Sequence, residues 1–79
     1  MRELRLLWDF RGPDSLETAK HHVIHLKEFT QIGKLSFVEA SVIEQNKYVN
    51  SAFIIIFETD LEVFKIALKP HRITIYNEQ

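Results

Sequence analysis

Three of the chain's four histidines fall within five residues, at His21, His22 and His25. His21 and His25 stand four apart, and His22 and His25 three apart. At those spacings two imidazoles on one helix face can share a metal ion. All three do not converge, because neighbours in a helix point about 100° apart. The chain has no cysteine, so a further ligand would have to be a carboxylate from elsewhere in the fold, and no pattern in the sequence supplies one. The expectation is no metal and no other cofactor, with His21 and His25 in solvent.

His22 has a sharper use. It borders the apolar stripe of its segment, where partial burial tunes a histidine across neutral pH. A general acid or base also needs an orienting partner, and Asp9, at the end of the preceding strand, is the nearest carboxylate in the expected fold. His22 and Asp9 are therefore the candidate catalytic couple. Arg11 beside them could hold an anion, and Trp8 and Tyr76 could stack a planar ligand. Each residue also has a plainer role open to it. His22 could donate to a backbone carbonyl at the core border. Asp9 could pair with Arg11, worth under about 1 kcal/mol at a surface. Trp8 and Tyr76 could simply fill a small core, which large aromatics dominate. Lys65, Lys69, His71 and Arg72 make a modest basic patch around Pro70, suited to an acidic ligand or to the C-terminal end of a helix.

The elements that must position these residues read clearly for most of the chain. Residues 3–10 alternate Leu4, Leu6, Trp8 and Phe10 with Arg5, Leu7 and Asp9, the period of a strand, and Gly12-Pro13 turns the chain. Asp14 followed by Glu17 forms a capping-box signal for a helix over 15–32. Its stripe of Leu16, Ala19, Val23, Leu26 and Thr30 is flanked by His22 and Phe29, and Gly33 sits at the stop. Residues 35–44 read as a second strand. Residues 52–57, Ala-Phe-Ile-Ile-Ile-Phe, read as a third that is apolar at every position and should be covered on both faces. Residues 60–69 fit either a strand or a short helix. The Thr59-x-x-Glu62 capping box and Pro70 favour the helix. Residues 72–76 make a last strand, and the tail Asn77-Glu78-Gln79 is expected to fray.

The order β-α-β-β-α-β predicts a single α+β domain over 1–79: a ferredoxin-like four-stranded antiparallel sheet with two helices on one face. Phe53, Ile55 and Phe57 then face away from the helices. Such an exposed patch is rare on soluble monomers, so a homodimer through the open sheet face is expected.

Composition narrows the function classes. The chain has 79 residues and no cysteine, with ten Lys and Arg against eleven Asp and Glu for a formal charge of −1. The charge argues against a nucleic-acid partner, and no apolar run reaches the roughly 18 residues of a membrane span. The start of the chain lacks a secretory apolar region, so a cytoplasmic setting is expected.

The run from Asp14-Ser15-Leu16-Glu17 through His22 and His25-Leu26 to Gly33-Lys34-Leu35 resembles that of YciI-like proteins, small members of the dimeric α+β barrel superfamily. In them a histidine on the first helix precedes a Gly-Arg/Lys-Leu turn into the second strand, as His22 precedes Gly33-Lys34-Leu35 here. The likeness implies the ferredoxin-like fold, a dimer and a helix histidine paired with an aspartate. The chain departs from the family at Glu39-Ala40-Ser41, where an Ala-Gly-Pro is usual, and at Lys69-Pro70, where an Asp-Pro is common. No aspartate sits at the place the family's pairing expects beyond the second strand's start. Two readings of function stand: a small homodimer that binds or slowly converts a small molecule in a cleft near the first helix, or a non-catalytic structural or regulatory dimer. A third, haem or oxygen handling, rests on fold analogy alone. Whether the chain is an enzyme stays open at this level.

Overall fold

The computed structural model describes residues 2–77. It contains β1 (Glu3–Arg11), α1 (Ser15–Gly33), β2 (Glu39–Glu44), β3 (Val49–Phe57), α2 (Leu61–Leu68) and β4 (Arg72–Asn77). The sheet order is β2-β3-β1-β4, with every neighbouring pair antiparallel. This is the ferredoxin-like βαββαβ arrangement that alternation and helix signals predict. No helix among the described residues is long and apolar enough to cross a membrane.

Strand alternation sorts the core. Leu4, Leu6 and Trp8 of β1 and Ala52, Ile54 and Ile56 of β3 meet Ala19, Val23 and Leu26 of α1 and Phe64 of α2. The two helices therefore share one face of the sheet, joined by an edge-on contact of Phe29 with Phe64 at 5.6 Å. Residues 60–69 resolve as the helix. A single 3₁₀ turn over Glu58–Asp60 leads into it, and Arg2 pairs with Glu58 beneath that turn.

The ends of the elements differ from their sequence signals. Neither capping box forms: Asp14 makes no side-chain cap bond, and Thr59 falls inside the 3₁₀ turn, leaving Asp60 at the cap position of α2, also without a side-chain bond. At the start of α1 the Thr18 backbone N–H and hydroxyl both donate to the Asp14 carbonyl instead. The stop of α1 falls one residue beyond Gly33. Lys34 takes the left-handed conformation, φ 53° and ψ 44°, and the Lys34 and Leu35 N–H groups return to the Gln31 and Thr30 carbonyls, a Schellman closure. Strand β2 starts at Glu39 rather than 35, and Leu35 and Phe37 reach the core from the connecting loop. Asn77 closes β4 rather than fraying; Glu78 and Gln79 lie outside the described residues.

The open face is better covered than the pattern of β3 implies. Leu7, Phe53 and Ile55 form a second cluster there with Ile43, yet they are only 4%, 8% and 1% exposed within one chain. Arg5 lies against Phe53 and Tyr76, its guanidinium carbon 5.7 Å from the Phe53 ring centre and 5.4 Å from that of Tyr76. A long side chain whose stem and planar head cover apolar surface does the work expected of a second sheet. Within one chain Leu7, Phe53 and Ile55 are therefore already buried.

Candidate functional site

The strand register divides the candidate residues between two faces. Trp8 points into the helix-side core, whereas Asp9 and Arg11 lie on the parity of Leu7, the open side. His22 packs on the helix side, its ring 4.8 Å from Trp8 and 5.5 Å from Phe10. The sheet therefore separates His22 from Asp9, and the expected catalytic couple does not form. One-residue spacing along a strand is the physical reason: Trp8 and Asp9 cannot face the same way.

His22 is half-buried, its ring packed against Trp8 and Phe10. Its Nε2 is buried without a hydrogen-bond partner among the described residues. Burial, followed by the charges of His25 and His71, holds its pKa below the ordinary histidine value. Trp8 likewise has a structural duty, its indole N–H donating to the Leu68 carbonyl at 2.8 Å and tying α2 to β1. His25 pairs with Glu28 in solvent and His21 is exposed. Among the described residues, no group of three or more histidines or carboxylates is arranged to hold a metal ion.

Asp9 has different partners from those expected. Arg72, at the start of β4, grips it with two hydrogen bonds, Nε to Oδ2 at 2.9 Å and Nη2 to Oδ1 at 2.8 Å. The Ser51 hydroxyl donates to Oδ1 at 2.7 Å. Arg72 first and Ser51 second hold the Asp9 carboxyl below its ordinary range, and Asp9 in turn raises the Arg72 pKa. The Asp9 backbone N–H donates to His71 Nδ1 at 2.9 Å, which fixes the junction between α2 and β4.

Around this pair lies a cleft of about 310 Å³, lined by Asp9, Arg11, Gln45, Val49 and Arg72. It opens at the end of the sheet on the face away from α1, so the cleft is not beside the first helix as expected. Its charge is unbalanced. Asp9 and Arg72 neutralise each other, while the Arg11 side chain makes no hydrogen bond or ion pair among the described residues. Arg72 also keeps Nη1 free of any partner among them.

The loop that carries Gln45 is held from the helix side of the sheet by a buried amide. Asn50 donates through Nδ2 to Ser15 Oγ at 2.8 Å and to the Asn46 carbonyl at 3.0 Å, and its Oδ1 accepts from the Gln45 N–H at 3.1 Å. Asn46 closes the turn by accepting the Tyr48 and Val49 N–H groups on its own Oδ1. Gly12 completes this end. At φ 112° it adopts a backbone region that glycine visits at low cost, and its N–H donates to the Tyr48 carbonyl at 2.8 Å.

Of the five residues singled out from the sequence, Asp9 and Arg11 share this cleft. Trp8 and His22 share the opposite face. Tyr76 lies on the open face at the other end of β4, against Arg5. The site residues outside the sequence reading are Arg72, Ser51 and Gln45. In the sequence Arg72 belongs only to the basic patch around Pro70, and the β1–β4 register brings it to Asp9. Ser51, a lone hydroxyl entering the apolar run of β3, was the available signal. In comparisons with known proteins no family model matches the chain, and neither a curated protein nor a solved structure matches it.

Proposed function

We propose that the chain is a binding protein for a small molecule carrying a carboxylate or phosphate group, received in the cleft of Asp9, Arg11, Gln45, Val49 and Arg72. The observation that carries this reading is Arg11: an unpaired guanidinium on a rigid strand, beside an Arg72 held in place by Asp9 and Ser51. Guanidinium is suited to planar two-point recognition of such anions. Pinning Arg72 in advance lowers the ordering cost of binding. The cleft holds no free general base, because Asp9 is committed to Arg72 and Ser51 and His22 is on the other side of the sheet. Binding without conversion is therefore the favoured role. The resemblance to YciI-like proteins bears on this reading only through the βαββαβ order, and a cytoplasmic setting accords with the cysteine-free composition.

The test is a thermal-shift screen with succinate, citrate, inorganic phosphate and a sugar phosphate on the wild type and on Arg11→Ala. A ligand present at 100 times its Kd adds about 2.7 kcal/mol to the folded state. An anion should raise the wild-type midpoint and leave Arg11→Ala nearly unmoved. Equal shifts in both proteins would place the anion elsewhere and end this reading.

A further inference from the structure

Strand β4 is a sheet edge whose one charge, Arg72, stands at its start and whose pairing with β1 is irregular at its far end. No described strand pairs with its outer side, and Ile73-Thr74-Ile75-Tyr76 contains neither charge nor proline, two devices that normally keep edges from pairing. The other edge, β2, carries Glu39 and Glu44 at its ends. Apolar exposure gathers beside β4 in the sequence. Ile75 is 53% exposed, and on α2 Ile66 is 71% exposed with Val63 also open. The opposite side of α2 already packs Leu61, Phe64 and Leu68 into the core, so this helix is apolar on both sides, the pattern of a helix covered on both.

The groups left open on an edge strand are an ordered row of N–H and C=O, which another strand satisfies in register. β4 is complementary to itself. An antiparallel copy turned about an axis at Thr74 sets Ile73 opposite Ile75, Thr74 opposite Thr74, and Arg72 opposite Tyr76. These are pairs of favourable kinds: β-branched with β-branched, hydroxyl with hydroxyl, cation with aromatic ring. Arg72 and Tyr76 both lie on the open face, since Arg72 reaches Asp9 and Tyr76 meets Arg5.

We propose that two chains associate through β4 into one continuous sheet, and that the partner's Tyr76 stands beside Arg72 to form the outer wall of the anion cleft. Within a single chain Tyr76 is four residues along β4 from Arg72, about 13 Å, so only the partner can bring it to the cleft. The two-fold gives two equivalent clefts per dimer. The role of the partner's Tyr76 rests on the anion-binding reading; the strand pairing does not.

The chain has no cysteine, so Thr74→Cys introduces a single thiol that faces its own copy across the axis. Opposed Cα atoms in antiparallel pairs lie about 4.5–5.5 Å apart, within disulfide range. Mild oxidation should convert Thr74→Cys into a covalent dimer while Ser41→Cys on the β2 edge stays monomeric. Ile75→Lys, at an exposed position, should keep its circular dichroism spectrum, sediment as a monomer, and bind succinate or phosphate about tenfold more weakly than the wild type. Pairing through β4 is overturned if Thr74→Cys cross-links no faster than Ser41→Cys, or if the wild type sediments as a monomer at high micromolar concentration. A monomeric Ile75→Lys that binds anion like the wild type removes the partner's Tyr76 from the site. A cross-linking dimer that binds neither anion overturns the cleft reading and leaves the strand pairing standing.

Discussion

Replacing Asn50 by alanine should destabilise the chain by about 3 kcal/mol. Asn50 is 1% exposed and its amide makes three hydrogen bonds, to Ser15 Oγ, the Asn46 carbonyl and the Gln45 N–H. Each is worth about 0.5–1.5 kcal/mol net, and a buried group left unpaired costs about 1–3 kcal/mol. Ser15 is also 1% exposed, so its hydroxyl is the group stranded by the change. Removing that hydroxyl as well should recover part of the loss. Ser15→Ala with Asn50→Ala should therefore cost less than the sum of the single changes, by about 1 kcal/mol. Urea denaturation of the four proteins measures this, with equal slopes required before midpoints are compared. A cost for Asn50→Ala below about 0.5 kcal/mol, the range of a neutral surface change, would refute the reasoning. So would strict additivity in the cycle.

Other substitutions probe the helix ends and the buried histidine. Lys34 and Lys69 hold left-handed conformations, φ 53° and φ 47°, at the ends of α1 and α2, which costs a side chain about 1–2 kcal/mol. Lys34→Gly and Lys69→Gly should each raise the thermal midpoint by about 4–8 °C per kcal/mol released, measured by circular dichroism; an unchanged or lower midpoint contradicts this. For His22 the folded pKa lies below the ordinary value, chiefly through burial. As pH falls below about 6.5 the unfolded chain takes up a proton that the folded chain refuses, so stability is present above that pH and declines below it. His22→Leu should remove this part of the acid-side decline in urea midpoints between about pH 7.5 and 5, and identical slopes in both proteins would show that His22 does not titrate as described.

The parts legible in the sequence are those where period and composition act alone. Alternation in β1, the uniform apolarity of β3 and the stripe of α1 are enough to order the elements. Chain order then constrains the sheet, because right-handed crossovers leave few alternatives. The site was legible only in halves. Asp9 and Arg11 alternate on one strand and so share a face, as any sequence reading can see. Asp9 and His22 were paired on proximity along the chain, which ignores that Trp8, one residue earlier, must take the helix side. Arg72 was out of reach for another reason: 63 residues separate it from Asp9, and only the β1–β4 register joins them. On the open face, apolarity counted residue by residue does not give exposure. Arg5 covers Phe53 with its guanidinium, and no count of apolar residues records that.

The position of the anion is the most direct test of the Arg11 cleft. Amide chemical shifts recorded while succinate or inorganic phosphate is titrated into the wild type locate it directly. Saturable changes should concentrate at Arg11, Gln45, Val49 and Arg72, and Arg11→Ala should lose them. Changes centred on Lys20 and Lys27, at the apolar groove between α1 and β2, or small unsaturating changes spread over the surface, would contradict it.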